Sequence, residues 1–131
     1  MSEENVEIVR KLFELQDDPE RFLELFDPYV VWINFASAVE SRPFLGHEGI
    51  AEWARGFFME IRDFRMEMKE VIDAGGDQVV TVQRVLGSGM KSGAPIDDEV
   101  SCIFTLLNGK IVRGQGFETR AQALEAVGLS E

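Results

Sequence analysis

A chain of 131 residues, 45% hydrophobic and 28% charged, has the length and make-up of a single globular domain, residues 1–131, whose core needs neither disulfides nor metals. Its net charge of −11, from 24 acidic against 13 basic residues, repels phosphate backbones and anionic lipid surfaces, which argues against nucleic acid and membrane as partners. One cysteine (Cys102) and one histidine (His47) exclude an internal disulfide and a zinc site, so no metal and no cofactor is expected, and the polar start "MSEENVEIVR" leaves the cytoplasm as the expected location.

Val6, Val9, Leu12 and Phe13 recur at helical spacing and predict a first helix over 4–16. Asp18 as cap and Pro19 at the first helical position start a second, with a face of Phe22, Leu23, Leu25 and Phe26; Asp27-Pro28 ends it. The β-branched and aromatic run "YVVWINFA" (29–36) predicts a strand. A loop containing Pro43 and Gly46 follows, then "HEGIAEWARGFFMEI" returns to helical spacing through Ile50, Trp53, Phe57 and Ile61. From there the period is two: Phe64, Met66 and Met68 alternate with Arg65, Glu67 and Lys69, the pattern of a half-buried strand. Gly75-Gly76-Asp77 turns the chain into "QVVTVQRVLG", and the polar loop "SGMKSGAPIDD" leads to "EVSCIFTLL". Asn108-Gly109 predicts a type I′ hairpin turn, since both residues tolerate positive φ. The next strand, "KIVRGQGF", leaves two same-side positions without side chains at Gly114 and Gly116, and "RAQALEAVGL" closes the chain as a helix capped by Thr119. Helices followed by a run of strands indicate an α+β fold.

The segments "ENVEIVRKLFEL", "LELFDPYVVW", "FLGHEGIAEW" and "NGKIVR" with "TRAQALEAVGL", in that order, resemble the SnoaL-like group of the nuclear-transport-factor-2-like superfamily. The resemblance spans nearly the whole chain. It implies a curved, mostly antiparallel sheet wrapped around about three N-terminal helices, with an internal pocket and a short C-terminal helix. It also implies a homodimer through the outer sheet face. Relatives in fold include polyketide cyclases, ketosteroid isomerases and limonene-type epoxide hydrolases.

The resemblance is weaker for the chemistry. On the ketosteroid isomerase pattern the carboxylate base falls on Asn34, which cannot accept and return a proton near neutral pH. The tyrosine falls on Leu12 or Phe13 and the oxyanion aspartate on Cys102 or Ser101, so that mechanism is disfavoured. The cyclase aspartate falls at about Gly116, with Gln115 and Glu118 as the nearest polar candidates. Asn34, Arg84 and Glu118 make a reduced version of the epoxide hydrolase set, with Glu118 as the acid or base if the protein is an enzyme. Strict alternation with Val80, Val82 and Leu86 turns Arg84 toward the pocket; snorkelling takes it to water instead. His47 is expected to face solvent, and Cys102 to be a buried structural thiol. The expected ligand-binding residues are Trp32, Asn34, Trp53, Phe57, Met66, Cys102, Phe104, Gly114 and Gly116, a lining suited to a small apolar or aromatic molecule, with the two glycines deepening the cavity. The leading expectation is therefore a small-molecule-binding protein, with an enzyme using Glu118 and a non-catalytic dimerisation module as alternatives.

Overall fold

The computed structural model describes residues 2–34 and 42–129. Two helices, α1 (Ser2–Glu14) and α2 (Pro19–Glu24), precede β1 (Phe26–Ile33), a two-residue β2 (Phe44–Leu45) and α3 (Gly46–Glu60). Four long strands follow, β3 (Ile61–Asp73), β4 (Gln78–Gly89), β5 (Pro95–Leu107) and β6 (Lys110–Phe117), and α4 (Arg120–Ala126) ends the fold. The strands form one sheet in the order β2-β1-β6-β5-β4-β3, antiparallel throughout except for the parallel β1–β6 pair. This is the expected α+β, mostly antiparallel architecture.

The local signals acted as their chemistry dictates. Asp18 accepts from the Arg21 backbone N–H at 3.4 Å, and Thr119 accepts from that of Gln122 at 3.1 Å, so both short helices carry side-chain caps. Asn108 and Gly109 take φ of 50° and 78°, the positive values a type I′ turn requires. Two boundaries differ from the sequence expectation. Helix α2 stops at Glu24, and Phe26 already pairs in parallel with Ile111, helped by the Ile111 N–H donating to the Leu25 carbonyl at 2.9 Å. Pro28, which lacks an N–H, sits where the β1–β6 register breaks between Phe26 and Val31, so the strand passes through it. The polar stretch after Leu86 is no long loop: β4 and β5 stay paired out to Ser88 and Pro95, and the turn closes through Gly89 and Gly93.

Cross-strand partners define two faces. Trp32, Gly114, Phe104 and Val79 are neighbours across β1, β6, β5 and β4, and on that inner face Trp32, Phe104 and Val79 share a core with Val9 and Leu12 of α1 and Ile50 of α3. On the outer face, Val80 and Ile103 are covered by Ala123 and Leu124 of α4. Arg120 fixes that helix with a bidentate ion pair to Glu70 of β3, at 2.8 and 3.2 Å. The rest of the outer face carries ion pairs, Lys69 with Glu99 at 2.6 Å and Arg84 with Asp97 and Glu67.

His47 departs from its expected solvent position. It is half-buried, and its Nε2 donates to the Phe26 carbonyl at 2.8 Å, tying the start of α3 to β1. At the opposite sheet edge the Gln16 carboxamide pairs with β3: its Oε1 accepts from the Met66 N–H at 2.8 Å and its Nε2 donates to the Met66 carbonyl at 2.9 Å. Among the described residues no helix is long and apolar enough to cross a membrane.

Candidate functional site

A continuous aromatic wall runs from the sheet interior along α3 to the start of β3. Trp32 of β1 meets Trp53 of α3 with ring centroids 4.5 Å apart, and Phe104 of β5 at 5.8 Å. Trp53 meets Phe57 edge-on at 5.0 Å, and Phe57 stacks on Phe64 of β3 at 4.8 Å with the rings 11° from parallel. Helical spacing of four places Trp53 and Phe57 on one face of α3. Burial changes along the wall: Trp32 is 3% and Phe104 also 3% exposed, whereas Trp53, Phe57 and Phe64 are half-buried.

Asn34 holds the inner end of that wall. Its Oδ1 accepts from Trp32 Nε1 at 3.1 Å and from Trp53 Nε1 at 2.9 Å, so one amide oxygen orients both indoles of the chain. Each buried indole N–H thereby has the partner it requires.

Beside the aromatic residues lies a neutral polar row. Thr81 Oγ1 donates to Gln83 Oε1 at 2.8 Å, and Gln83 Nε2 donates to Cys102 Sγ at 3.1 Å. Cys102 is the cross-strand neighbour of both Thr81 and Gly116, so the row lies across β4 and β5 and ends beside the bare Gly116 of β6. Burial pushes the Cys102 thiol up to about 11, more than the hydrogen bonds from Gln83 and Thr81 lower it. It is a protonated, packed thiol. Among the described residues no group of three or more histidine, cysteine, aspartate or glutamate side chains is arranged to hold a metal.

A SnoaL-like domain profile matches residues 9–114, which contain α2 through β5 whole, the second half of α1 and the first five residues of β6, but none of α4. The chain belongs to the SnoaL-like domain family. No functionally curated protein matches it. Among solved structures, a nuclear-transport-factor-2-like protein of Burkholderia pseudomallei superposes with a TM-score of 0.78 at 18% identity, over 95% of this chain and 97% of that one. A protein of Catenulispora acidiphila with a ketosteroid isomerase-like fold, in complex with trimethylamine, gives 0.75 at 18% identity over 94% and 93%. TerC, co-crystallised with polyporic acid, gives 0.76 at 21% identity over 95% and 98%. Likeness at these identities fixes the fold and leaves the chemistry to the side chains.

In this SnoaL-like domain the three acid–base candidates are not brought together. Asn34 faces inward against the two indoles. Arg84 lies on the outer face, where its Nε and Nη2 reach Asp97 at 2.9 and 2.5 Å; the positive partner and the negative one hold each other charged, raising the arginine and lowering the aspartate. The parity that seemed to point inward, Val80, Val82 and Arg84, is the outer one, because α4 buries part of that face as well. Glu118 lies just past β6 and is exposed, its backbone N–H donating to Gln122 Oε1 at 3.1 Å as the chain turns into α4.

The ligand-wall candidates fare differently. Phe104, Trp32, Trp53 and Phe57 touch one after another in that order; Cys102 and Gly116 are buried on the inner face; Met66 is half-buried on β3, directly across from Val85. Gly114 does not deepen the interior: the Trp32 ring fills the space, with Cζ3 only 2.1 Å from where a Cβ at 114 would stand. Sequence reasoning missed Phe64, Thr81 and Gln83. The signal for the last two was there in "VVTVQRV", where polar residues two apart mark the inner-facing parity of β4.

Proposed function

We propose that this SnoaL-like protein binds a small, flat, uncharged molecule against the half-buried wall of Trp53, Phe57 and Phe64, with Asn34 at its inner end. The observation that carries this reading is the change in burial along the wall. Aromatic faces that a core needs are sealed, as at Trp32; here three consecutive rings on α3 and β3 keep part of their surface open. A soluble domain gains nothing from exposing such area unless a partner covers it. The buried inner side chains on the described strands are aromatic, aliphatic, amide, hydroxyl and thiol, and the charged group of that parity on β5 is the exposed carboxylate of Asp98, across from Val85, so an anionic ligand would lose its hydration without a counter-charge. Two neighbours in the same fold hold small molecules, the acid polyporic acid in TerC and the amine trimethylamine in the Catenulispora acidiphila protein, which supports small-molecule binding in this fold while the uncharged class rests on the side chains here.

The test is calorimetric titration with 2-naphthol, a flat probe that is uncharged at neutral pH, using Trp53→Leu as the control. A saturable one-site isotherm is expected, weakened on the order of tenfold in the variant, since an aromatic contact of this size contributes about 1–1.5 kcal/mol. Absence of saturable binding, or binding that Trp53→Leu leaves unchanged, overturns the reading.

A further inference from the structure

Gly114 and Trp32 fit together in a way that ordinary packing does not demand. An alanine methyl at 114 would lie 2.1 Å from Cζ3 and 2.2 Å from Cε3 of the Trp32 indole, distances at which atoms interpenetrate. The benzo edge of the indole therefore occupies the place of a side chain on β6. Its N–H is held by Asn34 at 3.1 Å, and its face lies against Trp53 at 4.5 Å between centroids. Fixed from three directions and 3% exposed, Trp32 fills the interior over Gly114, and the boundary between sealed and open aromatic surface falls between the two indoles.

We propose that Trp32 is a plug that sets how deep a ligand can enter, with Gly114 as its seat. This rests on the ligand-binding reading above and adds which residue sets the size limit. In the native protein the ligand's inner end stops at Trp53. Removing the indole leaves a space over Gly114 that has no side chain of its own to refill it, and an apolar space of that kind stays open and accepts apolar rings. An additional ring is then buried in the variant where in the native protein it must extend outward to water.

The experiment compares 2-naphthol with the three-ring 2-anthrol by calorimetry in the native protein and in Trp32→Leu, with Trp32→Phe as the variant that better preserves packing. The preference for the longer probe should rise on the order of tenfold in Trp32→Leu, the value of burying one more ring, and by less in Trp32→Phe. An unchanged preference in both variants overturns the plug while leaving the ligand reading standing; binding of neither probe to any of the three proteins overturns both. The seat is read without ligand. In a Trp53→Phe background Trp32 is the sole indole emitter, and Gly114→Ala should shift its emission to the red as the ring is pushed off β6. Unshifted emission overturns the seat.

Discussion

Asn34, Gly114 and Cys102 show how much one residue's meaning depends on what stands across from it. An asparagine in the apolar run "VVWINFA" announces a buried amide that needs partners, and it has them in two indole N–H groups. Which partners they would be was not legible, because Trp53 lies 19 positions away on another element. The glycine at 114 was legible as an empty position but not as a filled one, since the ring that occupies it comes from β1. Cys102 was readable as a structural thiol from its place between apolar residues, and its burial yields a pH prediction. Burial raises the folded thiol to about 11 from an ordinary 9.0. The native state thus keeps a proton that the unfolded chain loses above pH 9, so the contribution is constant below that pH and stability falls as pH rises toward 11. The slope reaches at most about 1.4 kcal/mol per pH unit. Urea unfolding of native protein and Cys102→Ala across this range should show the extra loss only in the native protein. Parallel slopes, or rapid alkylation of the folded protein by iodoacetamide at mild pH, would contradict a sealed thiol.

Elements whose signals are local were legible: the two capped helices, the Asn108-Gly109 turn and the alternation that made β3 a strand. Strand β4 was harder, because Val79, Val80, Val82 and Val85 are all buried, and a strand covered on both faces gives no alternation to read. That is why strict alternation alone does not give the side of Arg84. The edge of β3 was not legible at all, since its cover is one side chain from the α1–α2 connection. An uncovered edge strand invites pairing with another chain, and here Gln16 takes one N–H and one C=O of Met66 while register shifts lie on both sides of it, at Arg62–Arg65 and Met68–Glu70. Gln16→Ala removes both bonds. It should cost about 1–2 kcal/mol and speed hydrogen exchange at the Met66 amide on the order of tenfold. Unaltered protection at Met66 would show that the edge is held by other means.

At the scale of the whole molecule, two electrostatic environments are separated by one sheet. The outside carries the net charge of −11 and the ion pairs of Arg84, Lys69 and Arg120, while the described inner face holds a neutral polar row and aromatic rings. The segregation follows from the fold. Side chains alternate across each strand, so the parity that carries Glu67, Arg84, Asp97 and Glu99 is the one that cannot face α1 and α3. An uncharged ligand carries no charge for salt to screen, whereas any anion must first approach a strongly negative surface. Affinity for 2-naphthol should therefore change by less than about twofold between low salt and roughly 0.5 M, where the Debye length falls to a few ångströms. The carboxylate analogue 2-naphthoate should bind on the order of tenfold or more weakly, because its charge is desolvated without a counter-ion. Calorimetry with both probes at the two salt concentrations separates the cases. Tighter binding of the naphthoate, with an affinity that falls as salt rises, would mean that cations line the entrance and that the ligand is an acid.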